Sequence, residues 1–580
     1  MNNKIKYTTR SLSVMGRLLL FILLTNSSIL SFSQNKTKKV IRIEHADSLV
    51  SDNAVVADAR RLIGNVLLTH NNIVMKCDSA WAYAKTNTVD AFGNVHIISN
   101  DTLNLWAKYI NYNGDTEMAK ARRKVKLQDP SITLTSDSLD FDMNSEIGYY
   151  KYGGKIVDST NTLTSIIGIY YTRENELFFT NDVRLQNESY DMTTDTMYYN
   201  TETQIATFKG ITQIIGDSTY IYSTGGWFNT ASNETELNKK STIKRKQTQI
   251  QADYLFYNDE NGEGFARNNV IINDYENSMI ITGQNARYDD FEQYALVTDS
   301  AVWMQYYQGD TLFLHADTLY TMPDTSAVDA KMLKAYNKSR FYRTDIQGIC
   351  DSLVYFTNDS TIKMYNDPVL WSMENQMTAE NVEFINKSEP PNEVYLNNNA
   401  FIIQEIDSSK FNQIKGKNMV GYIKGESLYR IDVNGNGQSI YYPSDDNDYI
   451  GINKAESSNI ILYLSDNMIK RITFVGSPTG VMNPIIDVVD ADTKLDGFNW
   501  RINERPNSRF EIFGPLSTTP VVTTLPETEM IIDLPNINES KIELQKQWDE
   551  NLQKLENDTT SLQIIDQHSK TIKQLTNPAK

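Results

Sequence analysis

Cys77-Asp78-Ser79-Ala80-Trp81-Ala82-Tyr83, then Lys85-Thr86-Asn87, Thr88-Val89-Asp90-Ala91, Gly93-Asn94 and Val95-His96-Ile97-Ile98, is the stretch that decides the fold. Small and aromatic residues alternate in its first part. A polar turn follows, then a second short strand, a Gly-Asn break and a third strand. Strands of this length, punctuated by Gly, Asn and Asp, mark antiparallel hairpins. The opening phrase (small residue, acid, small residue, apolar, any, aromatic) recurs about every thirty residues. Copies are Ser136-Asp137-Ser138-Leu139-Asp140-Phe141, Thr194-Asp195-Thr196-Met197-Tyr198-Tyr199, Ala252-Asp253-Tyr254-Leu255-Phe256-Tyr257, Ala316-Asp317-Thr318-Leu319 and Cys350-Asp351-Ser352-Leu353-Val354-Tyr355. Weaker copies include Ala107-Lys108, Ala379-Glu380-Asn381-Val382 and Lys417-Asn418-Met419-Val420. A fixed period in this range means stacked units sharing one core.

The Gly-Asn-Val element repeats as well, at Gly64-Asn65-Val66 and Gly93-Asn94-Val95, and more loosely at Gly154-Lys155-Ile156, Asn181-Asp182-Val183, Asn268-Asn269-Val270 and Asn366-Asp367-Pro368-Val369. Gly and Asn tolerate positive φ, so each copy reads as a sharp turn before a β-branched strand start. In the acid-led strand, the second and fourth residues after the acid share a face. They form an apolar ladder of Leu139, Phe141, Met197, Tyr199, Leu255, Tyr257, Leu319, Leu353, Tyr355, Val382 and Phe384. The opposite face is mixed, with Asp140, Tyr198, Phe256 and Glu383. The expected fold is all-β: an elongated, repetitive antiparallel β-solenoid or β-jelly-roll with a C-terminal cap and a short C-terminal helix. Residues 40–425 form the repeats, as several modules in series. Residues 426–515 read as a β cap. Residues 516–580 read as a linker with Pro520, Pro526 and Pro535, a short helix from the capping box Ser540 and Glu543, and a flexible tail.

Residues 1–33 read as a signal peptide. Lys4 to Arg17 are basic, Leu18–Leu24 is apolar, and Ser31-Phe32-Ser33 precedes Gln34. The apolar run is short for a membrane span. The net charge of −18 argues against nucleic acid, whose phosphates need a basic surface. The only cysteines, Cys77 and Cys350, fill the same repeat slot and read as small buried side chains, because stacking keeps them too far apart for a disulfide. The recurring acid could ligate calcium, but single acids per turn are poor sites, and hydrogen bonds to local backbone at the strand entry are the simpler role. His45, His70, His96, His315 and His568 make no zinc helix motif, and no nucleophile elbow or phosphate loop is present. No catalytic residue, metal or cofactor is expected.

Gly64-Asn65-Val66 with Cys77-Asp78-Ser79, and Gly93-Asn94-Val95, resemble the OstA-like family, which comprises periplasmic lipopolysaccharide-transport bridge proteins of the LptA type. The similarity extends over about residues 40–425. It implies a folded antiparallel sheet with a greasy interior, in which lipid A acyl chains slide while the sugars stay in water. It implies a secreted, non-enzymatic carrier in the periplasm, free or associated with the outer membrane, whose partners are lipopolysaccharide and other β-jelly-roll bridge proteins joined end to end. The ladder residues would line the trough. The chain is longer than a short bridge protein and lacks a C-terminal series of amphipathic barrel strands. A structural or adhesive solenoid with a filled core uses the same ladder and is the alternative.

Overall fold

The computed structural model describes residues 40–514, apart from 52–58, 308, 327–329, 388, 426, 446–447, 466–467 and 486–492. The expected signal peptide and the linker, helix and tail of 516–580 lie outside the described residues. Among the described residues the regular structure is β-strand, with two short 3-10 turns at Ile502–Glu504 and Glu511–Phe513. Every strand pairing is antiparallel, as the hairpin signals predict.

The chain divides into two compact units, Met1–Arg123 with Phe141–Ser145, and Lys124–Asp140 with Glu146–Lys580. In the first, Ala59–His70, Ile73–Tyr83, Thr88–Ser99 and Leu103–Asn113 pair in chain order. Arg42–His45 and Ser48–Val50 lie on the outer side of Ala59–His70 as two halves of one strand. In the second unit, pairing runs in chain order from Glu176–Gln186 to Gly451–Ser465 except at two nested pairs of half-strands. Glu234–Leu237 pairs Tyr254–Asn258 around Ser241–Arg245 and Thr248–Ala252, and Thr361–Tyr365 pairs Asn381–Ile385 around Val369–Ser372 and Asn375–Thr378. The free side of Gly451–Ser465 carries Met468–Val475 and Thr479–Pro484.

The Gly-Asn element is not a reversal between two strands. It is a corner inside one strand: Thr88–Ser99 runs through Gly93-Asn94 and changes direction there. Left-handed residues mark the same place at Gly64 and Asn65 (φ 77° and 44°), Asn181 and Asp182 (67° and 49°), Gly210 (92°), Asn268 and Asn269 (60° and 53°) and Asn398 and Asn399 (62° and 50°). Two such residues bend an extended chain without reversing it, and the ladder register slips at each one. Successive corners line up into a crease, so each sheet is folded over on itself. One arm carries the predicted ladder and the other faces it. Tyr190 meets Phe228 across the fold at 4.8 Å, and Trp303 meets Tyr355 at 5.0 Å.

The recurring acid holds the crease. Asp78 Oδ2 accepts from the Asn94 N–H at 3.0 Å and from Asn94 Nδ2 at 3.1 Å. Asp195 Oδ2 accepts from the Ile211 N–H at 3.1 Å, and Asp253 Oδ2 from Asn269 Nδ2 at 2.7 Å. Glu380 receives Asn398 and Asn399 at 3.2 and 2.7 Å. The slot residue's own N–H donates back to the corner carbonyl at Asp47, Asp253, Asp351 and Glu380. The partner is therefore the next strand's corner, not the acid's own strand entry as the sequence reading has it. A Cβ on Gly64, Gly93 or Gly210 would overlap the carboxylate, which explains glycine there as much as its φ does.

Ladder residues pack in continuous rows across the sheet. One row runs Met197, Phe208, Gly226, Leu237, Leu255, Ala266, Ala286, Val297, Leu319, Ala335, Leu353, Met364, Val382 and Leu396 by direct strand-to-strand register. Large and small residues share this space, as close packing requires. In the neighbouring row, Tyr257 and Tyr288 stack at 6.0 Å across Gly264. A Cβ at Gly264 would enter the Tyr288 ring. We expect Gly264→Ala to cost about 1–3 kcal/mol by overpacking, measured by urea unfolding. Gly216→Ala, where the nearest atom to a new Cβ is 3.6 Å away, is expected to stay within about 0.5 kcal/mol.

The region read as a cap does two things. Ser427–Tyr441, Gly451–Ser465, Met468–Val475 and Thr479–Pro484 continue the stacking. Residues 493–514 instead turn back as a strap across the outer surface of the facing arm. Leu495 packs on Phe401, Ile403 and Ile440, Ile502 on Ile349, Val369 and Trp371, and Ile512 on Val302 and Met304. This is why Val369–Ser372 is buried at every position: its inner face meets the core and its outer face meets the strap.

Candidate lipid-binding interior and its mouth

All eleven predicted ladder residues lie in the interior, none more than 8% exposed. Asp140, Tyr198, Phe256 and Glu383 lie on the outer face and are half-buried, and Glu383 pairs with Lys363 at 3.2 Å. The period-two reading thus places inward and outward residues correctly. It does not bear on what else the interior holds.

Opposite the crease, the two arms end in two rows of turns that face each other as lips. Between them run buried latches that the sequence reading does not contain. In the first unit, His70 Nδ1 and the Tyr112 hydroxyl are 2.7 Å apart in the interior, and on the surface beside them Asn71 Nδ2 donates to Glu117 at 2.7 Å. In the second, Tyr170 donates to Asp129. Tyr199 donates to Asp158 Oδ2 at 2.7 Å and accepts from Asn161 Nδ2 at 3.0 Å. Each aspartate serves twice. Asp158 Oδ1 accepts the Thr160 and Asn161 N–H groups of its own turn at 2.8 and 2.6 Å, leaving Oδ2 for the tyrosine. Asp129 does the same with Ser131 and Ile132 at 2.7 and 2.8 Å. Burial is the main cause that raises the hydroxyl pKa of Tyr112, Tyr170 and Tyr199, so these groups stay neutral at neutral pH. A signal for the latch was present: Asp129-Pro130-Ser131 and Asp158-Ser159-Thr160 recur at the repeat spacing as turn formers.

The latch series is interrupted after Tyr199, because the next equivalent position is Phe228, which has no hydroxyl, and the hydroxyl row resumes at Tyr257. There the mouth holds a cavity of about 250 Å³ lined by Tyr190, Ile214, Ile221, Phe228 and Tyr257. A second, of about 300 Å³, is lined by Arg245, Ile250, Ile272, Ile281, Tyr288 and Lys331. Both join charged lip residues to interior apolar ones. Arg245 pairs with Asp290 at 3.3 Å and Asp259 at 3.5 Å, and bonds the Tyr257 hydroxyl. Lys331 donates to Asp274 at 2.8 Å. Burial raises the Asp274 pKa, but the bonds from Lys331 and Asn277 outweigh it and hold the carboxyl below its usual range. Cys77 and Cys350 are free and buried, with burial pushing their thiols up to about 11 and about 12. No cluster of His, Cys, Asp or Glu suited to a metal occurs among the described residues.

Residues 37–195 match the family model described as OstA-like protein. Among solved structures, one similar chain is LptH from Pseudomonas aeruginosa, titled the LptA homologous periplasmic component of the conserved lipopolysaccharide transport device. It is 15% identical, with a TM-score of 0.18, over 20% of this chain and 82% of that one. A search of curated proteins finds no match. The family match spans the corners at Gly64 and Gly93 with Asp78, the residues that carry the resemblance in the sequence: over residues 37–195 this chain is similar to the OstA-like family.

Proposed function

We propose that this protein binds the acyl chains of lipopolysaccharide between the two arms of its folded sheet and conveys the molecule through the periplasm to the outer membrane. The observation that carries the reading is the unbroken inner row from Met197 to Leu396 within an OstA-like chain. An acyl chain in water exposes about 0.8 kcal/mol per CH₂, so an apolar path removes most of the barrier to crossing an aqueous compartment. The sugars would remain outside the lips, and the two mouth cavities are where the apolar interior meets polar surface. The reading assigns the chain no covalent chemistry. Among the described residues, the outer sides of Arg42–His45 with Ser48–Val50, and of Met468–Val475 with Thr479–Pro484, are sheet edges to which another β-jelly-roll bridge protein could add a strand.

One observation favours the alternative of a filled structural core: the rows are packed almost without exposure. Lipid would then have to part the arms by opening latches such as Tyr199 to Asp158. Photo-crosslinking in cells of the source organism decides. A photoreactive residue at Leu255 is expected to give a lipopolysaccharide-sized adduct, and one at Glu383 none. A folded protein with no lipid adduct at Leu255, nor at Leu319 or Leu353, would leave the structural reading.

A further inference from the structure

At six corners between Gly64 and Asn399 the chain supplies its own carboxylate to the corner, from Asp47, Asp78, Asp195, Asp253, Asp351 and Glu380, whereas at Asn181-Asp182 the slot residue is the apolar Ile166. The last two corners depart in another way. At Gly435-Asn436 the slot residue is Lys417, and at Gly476-Ser477 it is Ser458. The backbone is otherwise the same. Gly435 and Asn436 have φ of 85° and 52°, and Gly476 and Ser477 of 84° and 50°, close to the 77° and 44° of Gly64 and Asn65. The Ser458 N–H donates to the Gly476 carbonyl at 3.1 Å, as Asp47 does to Gly64 at 3.0 Å. Only the carboxylate is missing. A Cβ on Gly64 would overlap Asp47 Oδ2, whereas the nearest atom to one on Gly435 is Lys417 Cβ at 3.3 Å.

The space so left is part of a groove of about 620 Å³, lined by Lys415, Lys417, Asn436, Glu456, Ser458 and Ser477 among others. Lys417 is exposed and makes no ion pair among the described residues. Glu456, the one acid in the groove, accepts from Gln438 at 2.9 Å. A seat that elsewhere holds a carboxylate has here kept its corner and exchanged the acid for a cation and a hydroxyl.

We propose that this groove binds an oxyanion, a phosphate or carboxylate carried by another molecule, in the seat that the chain's own acids fill at six other corners. Backbone N–H groups in left-handed corners and a lysine both favour such a ligand. The inference does not depend on lipid transport.

The test is calorimetric titration of the full chain with inorganic phosphate, acetate and glucosamine 1-phosphate, at fixed ionic strength set by sodium chloride. Saturable binding is expected. It should weaken at least about tenfold in the Lys417→Asp, Ser458→Asp double variant, the loss of one or more charge-assisted bonds. Those substitutions restore the acid used at six other corners, so the fold is expected to hold. Lys417→Gln, which removes the charge without adding an acid, should fall between. Binding of glucosamine 1-phosphate as well as phosphate would identify a phosphorylated saccharide or headgroup as a source, and binding of inorganic phosphate alone a free anion. No saturable binding to the native chain, or equal binding by the double variant, overturns the proposal.

Discussion

Gln376→Met is expected to cost the fold about 2–4 kcal/mol, although it conserves volume and sits far from the crease. Gln376 is 1% exposed. Its Nε2 donates to the Asn499 carbonyl at 2.7 Å and its Oε1 accepts the Arg501 N–H at 2.7 Å. One side-chain amide thus pairs with the strap as a neighbouring strand would. Gln413 repeats the device, donating to the Thr493 carbonyl at 2.7 Å and accepting the Leu495 N–H at 2.8 Å. Gln347 takes the Arg505 guanidinium at 2.8 and 2.6 Å. Methionine fills the space but leaves a carbonyl and an N–H of the strap unpaired, and each costs about 1–3 kcal/mol when buried. Gln438→Met, at an exposed bond to Glu456, is the control and should stay within about 0.5 kcal/mol. Urea unfolding followed by tryptophan fluorescence reads both. A loss below about 0.5 kcal/mol at Gln376 would mean that the strap's peptide groups find other partners or water.

The sequence reading misses both the strap and the latches, but only the strap leaves no repeating signal, since the latches show in their turn residues Asp129-Pro130-Ser131 and Asp158-Ser159-Thr160. The ladder and the corners repeat, and each repeats for a local cause: side chains alternate across a strand, and only Gly or Asn enters the left-handed region cheaply. Such causes leave a period. Gln347, Gln376 and Gln413 are held by residues 158, 125 and 82 positions away. Nothing in the neighbourhood of a glutamine shows that it is buried against a distant peptide. The Gly-Asn corner lies between these cases. Its residue types were legible, but a turn and a corner ask the same φ of the same residues, and only strand pairing on both sides tells them apart. The acid's partner was likewise one strand away and not local. In the inner rows, what was legible was that Leu255 points inward, and what was not is whether it meets another side chain or a lipid.

Ala286→Trp addresses that last point and is expected to have the largest functional effect. Ala266 and Ala286 are adjacent in the inner row, between Leu255 and Val297. They are its run of smallest side chains between Leu237 and Leu319, so an indole there obstructs the interior most. Overpacking should cost about 1–3 kcal/mol, which a domain of ordinary stability survives. If acyl chains travel along the row, obstruction at 286 separates it into two reaches. Photoreactive residues at Met197 and Leu353 lie on either side. Lipid adducts should persist at one and fall at least about tenfold at the other, a change worth about 1.4 kcal/mol or more in occupancy. The site that loses its adduct lies downstream, so the same experiment gives the direction of movement. A filled core makes the opposite demand: with no lipid in the interior, Ala286→Trp lowers stability and alters no adduct. Equal adducts at Met197 and Leu353 in a folded Ala286→Trp protein would show that lipid reaches each place from the mouth independently, making the row a set of separate seats and not a path.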